Sequence, residues 1–83
     1  MKINLKLYAS LGQYLPPEAK KNEFMAKIQD KASVGEVLRD YSVPGDMCHL
    51  VLVNGVFVPP SERDEYKLKD GDSLAVWPPV AGG

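Results

Sequence analysis

Only one stretch of the chain carries a sustained helical stripe. Val34, Val37, Leu38 and Tyr41 recur at the spacing that puts apolar side chains on one face of a helix. Ser33-Val34-Gly35-Glu36 opens it as a capping box. The Ser33 hydroxyl is placed to accept from the Glu36 backbone N–H, and the Glu36 carboxylate to accept from that of Ser33. Pro44-Gly45 is the expected stop. One amphipathic helix must bury its stripe on something other than a second helix, so a sheet is required and a two-layer α+β domain follows.

The remaining segments read as that sheet. Residues 2–9 alternate strictly, with Ile3, Leu5 and Leu7 on one face and Asn4, Lys6 and Tyr8 on the other. Residues 10–15 suit a short helical turn packing Leu11 and Leu15, ended by Pro16-Pro17; residues 18–22 are a polar connection. Residues 23–29 alternate again, with Phe24, Ala26 and Ile28 inward. Residues 50–53 are continuously apolar and read as a buried strand. Asn54-Gly55 then signals a two-residue hairpin returning through Val56 to Val58, before Pro59-Pro60. Tyr66 and Leu68 mark a half-buried connection, Lys69-Asp70-Gly71-Asp72 a turn, and residues 73–77 the last strand. The order β-β-α-β-β-β matches the β-grasp arrangement, a mixed sheet of four to five strands packed on one main helix. The reading divides the 83 residues into a domain over 1–77 and an extended tail over 78–83.

Composition narrows the function classes. Hydrophobic residues make up 45% and charged residues 25%, a globular balance, and no apolar run approaches the ~20 residues of a membrane span. The net charge of -1 comes from interspersed acids and bases, which argues against nucleic acid. The alternating N-terminus lacks the apolar stretch of a signal peptide, and the single cysteine, Cys48, fits a reducing compartment. The expectation is a cytoplasmic protein that binds neither nucleic acid nor membrane.

Candidate catalytic groups fail on chemistry. Cys48 and His49 are adjacent and point apart in an extended chain, so they read as ordinary surface or semi-buried residues. One histidine and one cysteine cannot supply a three- or four-ligand zinc site. The glycines are scattered at turns and form no phosphate-cradling loop, and Asp64, Glu65, Asp70 and Asp72 read as solvated loop acids. No catalytic constellation and no bound cofactor are expected.

The C-terminal segment is different. Pro78-Pro79-Val80-Ala81-Gly82-Gly83 follows the last strand directly. Two prolines cannot continue a ladder and favour a stiff, extended exit. Six residues reach ~20 Å, and Gly-Gly offers no β-carbon to block a narrow channel or the terminal carbonyl. These properties suit a carboxylate that is itself the substrate. Tyr8, Phe57 and Trp77 fall on the sheet face opposite the helix, so exposed aromatics at the root of the tail suggest a docking surface.

These motifs resemble the MoaD/ThiS family of sulfur carriers, relatives of ubiquitin. The likeness rests on Lys69-Asp70-Gly71-Asp72 with the terminal Pro78-Pro79-Val80-Ala81-Gly82-Gly83, on Ser33-Val34-Gly35-Glu36-Val37-Leu38, and on Val53-Asn54-Gly55. It implies that the first and last strands lie side by side. It also implies a mechanism. An E1-like adenylyltransferase uses MgATP to adenylate Gly83, and a separate sulfurtransferase supplies persulfide sulfur that converts it to a thiocarboxylate. That species then donates sulfur to an acceptor. Partner contacts are implied at Tyr8, Phe57 and Trp77. Pro78-Pro79-Val80 looks more like the molybdopterin-synthase branch, in which the tail enters a large synthase subunit and the chain is its small sulfur-carrying subunit. Three other readings stay open: a carrier for thiamin or tRNA thiolation, a modifier joined to lysines by isopeptide bonds, and a noncatalytic binding domain.

Overall fold

The computed structural model describes residues 1–79. Among them are five strands and one α-helix: β1 (Lys2–Leu7), β2 (Glu23–Lys27), α1 (Val34–Asp40), β3 (Leu50–Val53), β4 (Val56–Phe57) and β5 (Ser73–Trp77). The sheet order is β2-β1-β5-β3-β4. β1 and β5 run parallel at its centre, with Leu5 beside Leu74 and Leu7 beside Val76. The other pairs are antiparallel. This is the expected ubiquitin-like β-grasp architecture, with the first and last strands adjacent.

One sheet face meets α1. Ile3, Leu5, Leu7, Val51, Val53, Leu74 and Val76 are buried there beneath Val34, Val37 and Leu38. Leu11, from the 3-10 turn Ala9–Tyr14, seals one end. Each such side chain contributes roughly 1.5–3 kcal/mol by leaving water, so this single layer carries most of the apolar stabilisation. The capping box forms as read: the Glu36 N–H donates to Ser33 Oγ at 3.1 Å, and the Ser33 N–H to Glu36 Oε1 at 3.4 Å.

Several boundaries differ from the sequence pattern. The helix stops before Pro44-Gly45, because Ser42 turns left-handed at φ 62°. Its N–H then donates to the Arg39 carbonyl and that of Val43 to the Leu38 carbonyl, a Schellman closure. β1 ends at Leu7 rather than Ala9, because Ala9 (φ 52°) turns the chain into the 3-10 turn. β2 ends at Lys27, and the following Ile28 N–H reaches back to the Met1 carbonyl. Val58 lies outside the β4 ladder but is buried, its N–H donating to the Val51 carbonyl. Leu68 is buried and Tyr66 exposed, so the connection expected to be half-buried divides between the two.

The continuous run over Leu50–Val53 also differs from its reading. Only Val51 and Val53 are buried; Leu50 and Leu52 point to the opposite face and are half-buried. The run is apolar throughout because the sheet's second face is itself apolar here.

Candidate functional site

That second face is built by register. Trp77 lies beside Leu50, Ala75 beside Leu52, and Leu52 beside Phe57. Neighbours across a ladder share a face, so these side chains form one apolar patch across β5, β3 and β4, opposite α1. Tyr8 joins it from the end of β1. Its ring stacks on Trp77 with centroids 4.5 Å apart and planes 14° from parallel. Phe57 is 50% exposed. The structure therefore brings Tyr8, Phe57 and Trp77 to one face. Leu50 and Leu52 belong to the same patch, and sequence reasoning did not assign them to it. The available signal was the run over Leu50–Val53, which alternation cannot divide between two apolar faces.

The patch sits at the root of the C-terminal segment. The Tyr8 N–H donates to the Val76 carbonyl at 3.0 Å, and the His49 N–H to the Trp77 carbonyl at 3.0 Å. The end of β5 is thus held from both sides. Pro78 is buried and Pro79 exposed. Val80, Ala81, Gly82 and Gly83 lie outside the described residues, and so do the expectations placed on them.

Several of the titratable groups weighed in the sequence have structural partners. Cys48, read as a surface or semi-buried residue, is 5% exposed, and its thiol donates to the Pro44 carbonyl at 3.4 Å. Burial pushes the thiol up from its ordinary value, against a smaller opposing effect of Arg63. His49 is exposed. A buried thiol held protonated beside an exposed imidazole is no nucleophile–base pair. Asp64 pairs with Arg39 at 2.8 Å. Asp70 accepts the Lys2 N–H, while Asp72 accepts from the Lys69 N–H and Asn54 Nδ2, so both hold turns together.

Arg63 carried no signal in the sequence, yet it is buried. Its guanidinium donates to the carbonyls of Val58 at 3.2 Å, Cys48 at 2.7 Å and His49 at 3.5 Å. It ties the segment before β3 to the segment after β4. A groove of about 240 Å³ lies on the helix side, lined by Leu38, Arg39, Val43, Cys48, Arg63 and Asp64 among others. Its charged members already have partners, and its thiol is protonated. Among the described residues no cluster of three His, Cys, Asp or Glu side chains is placed to hold a metal ion. Nor is any helix there long and apolar enough to cross a membrane.

The family model described as Mut7-C ubiquitin matches residues 1–82. No curated protein matches the sequence. Among solved structures, the solution structure of the Haloferax volcanii HVO 2177 protein is 28% identical with a TM-score of 0.77, covering 100% of this chain and 87% of that one. SAMP1, also from Haloferax volcanii, is 22% identical with a TM-score of 0.67 over 100% of both chains. A chain of the complex between subunits 1 and 2 of molybdopterin-converting factor from Helicobacter pylori is 19% identical. Its TM-score is 0.58, again over 100% of both chains. The last two likenesses are of fold, and they agree with the resemblance read from the sequence motifs.

Proposed function

The chain belongs to the Mut7-C ubiquitin family, and from that premise we propose that it is a sulfur carrier whose working group is the carboxylate of Gly83. One observation carries the reading. An apolar face, with Phe57 exposed and the Tyr8–Trp77 stack half-buried rather than fully exposed as expected, lies at the root of a segment ending Pro78-Pro79-Val80-Ala81-Gly82-Gly83. Cys48, Arg63, Asp64, Asp70 and Asp72 serve the fold, and on this reading the chemistry belongs to partners.

An E1-like enzyme binds the apolar face and takes the tail. A Gly83 carboxylate oxygen attacks the α-phosphorus of MgATP, pyrophosphate leaves, and the acyl carbon becomes electrophilic. The terminal sulfur of a sulfurtransferase persulfide displaces AMP, and a thiol cleaves the resulting acyl disulfide to free the thiocarboxylate. This chain contributes the handle and the docking surface; ATP and Mg²⁺ are used by the partner. The acceptor we propose is the large subunit of a molybdopterin synthase, supported by Pro78-Pro79-Val80 and by the fold shared with the Helicobacter pylori complex. Tyr8, Phe57 and Trp77 are the proposed contacts.

The test is incubation with the E1-like enzyme, MgATP and a persulfide donor, read by intact mass. The wild-type chain exchanges one oxygen for sulfur. A chain with one residue added after Gly83, or with Gly83 deleted, does not, because misplacing a reacting group by ~1 Å can cost about 10²-fold. Thiocarboxylation of the extended chain overturns the reading. Tail remnants on cellular lysines, without a thiocarboxylate, favour a protein modifier instead.

A further inference from the structure

The open face is not uniform. Its β5-β3-β4 half is largely apolar, but its β1-β2 half presents Lys2, Lys6 and Lys27 around Asn4 and the exposed Met25, with a single carboxylate, Glu23. The register sets Lys2 directly opposite Lys27 and Lys6 opposite Glu23. Glu23 Oε1 accepts from Asn4 Nδ2 at 3.1 Å. Among the described residues no ion pair includes Lys2, Lys6 or Lys27, and the nearby Asp70 takes the Lys2 backbone N–H. Like charges directly opposed across a ladder repel and weaken the sheet. The Lys2–Lys27 pairing thus works against the fold, and the strip gathers positive charge in a chain whose net charge is -1. Lys6 also lies beside Ala75 in the β1–β5 pairing, so the cationic strip abuts the apolar patch directly.

We propose that this face docks on an acidic partner surface: carboxylates opposite Lys2, Lys6 and Lys27, beside an apolar area that takes Leu52, Phe57 and Trp77. The partner is the enzyme that adenylates the tail, so the proposal rests on the carrier reading. Apolar contact alone leaves the carrier free to rotate about the normal to its face. A charged strip on one side fixes that rotation, and with it the direction in which the tail leaves. Activation is also the step at which the carrier must be found from solution, where charge complementarity speeds encounter.

The test measures pyrophosphate release by the E1-like enzyme with MgATP, as a function of carrier concentration, at low and high salt. Lys6→Glu and Lys27→Glu should each raise KM about three- to tenfold with kcat unchanged. Lys6→Gln should fall between them and wild type, and Lys31→Glu, outside the sheet, should match wild type. Wild-type KM should rise with salt; that of the combined Lys2, Lys6 and Lys27 reversal should not. Lys27→Glu should at the same time raise Tm by about 1–5 °C, by turning a repulsive pair into an attractive one. Weaker docking by a more stable fold is an outcome that a purely structural role for these lysines does not produce. A KM indifferent to salt and to all three reversals overturns the docking proposal and leaves the carrier reading standing. No pyrophosphate release with wild type overturns both. Sedimentation of wild type as a dimer that the combined reversal breaks would assign the face to a second copy, and so overturn the acidic enzyme surface.

Discussion

Ser42 shows how a single residue can end a helix without the usual glycine. At φ 62° it sits where a β-carbon is crowded, yet the Schellman bonds to Arg39 and Leu38 form around it. Ser42→Gly relieves that crowding at some cost in unfolded-state entropy, and should raise stability by roughly 0.5–1 kcal/mol in urea unfolding. Arg63 is the converse, a buried cation that serves three carbonyls. Arg63→Ala strands those acceptors and should cost about 2–4 kcal/mol. Arg63→Lys should recover less than half, because an ammonium lacks the planar fork. Neither residue was legible in the sequence. A serine two positions ahead of Pro44-Gly45 is hidden by the stronger signal, and an arginine among Glu62, Asp64 and Glu65 reads as part of a solvated loop. Cys48 adds a pH dependence. Burial raises its folded-state pKa, so its contribution is intact below the unfolded thiol value of about 8.5 and is lost as pH rises above it. Thermal melts from pH 7 to 10 should show Tm falling at the alkaline end, and Cys48→Ala should flatten that fall.

Among the elements, the β3–β4 hairpin is the one whose local chemistry the sequence declared most fully. Asn54 (φ 51°) and Gly55 (φ 84°) both occupy the positive-φ region that a two-residue turn of this hand demands. Asn54 does more than turn. Its Nδ2 donates to Asp72, and its Oδ1 accepts the Ser73 N–H that opens β5. Asn54→Ala should therefore cost about 1–2 kcal/mol, more than a turn residue alone, and amide exchange should quicken at Ser73 as well as in the hairpin. β3 was the hardest element to read. Val51 and Val53 obey the core, and Leu50 and Leu52 obey the outer patch, so two demands of the same polarity erased the alternation that would have separated them. The capping box of α1 was readable because its two bonds are local. The central β1–β5 pairing joins residues about seventy apart in the chain, and only the family resemblance implied it.

At the scale of the whole molecule, the two sheet faces divide the work. The inner face builds the core with α1, so the outer face is free to vary with little effect on folding. Phe57→Ala removes a half-exposed ring that leaves no core cavity. On the proposed function it should lower affinity for the proposed adenylating enzyme about tenfold or more while changing stability by less than about 1 kcal/mol. Trp77→Ala should weaken binding further and cost somewhat more stability, because its stack on Tyr8 is lost with it. Calorimetric titration and urea unfolding of the same variants separate the two effects.

The parallel contact of β1 with β5 also has a mechanical meaning. β5 is hydrogen-bonded along both edges, to β1 and to β3. A pull applied at Pro79 therefore runs along the strand axis and across its ladder bonds. All of those bonds carry the load together, where a strand peeled from a sheet edge gives way one bond at a time. The activating enzyme proposed above could therefore draw hard on the chain beyond Pro79 without unravelling the domain behind. Force spectroscopy between Met1 and Pro79 should need a far larger force than pulling the β4 edge away from β3.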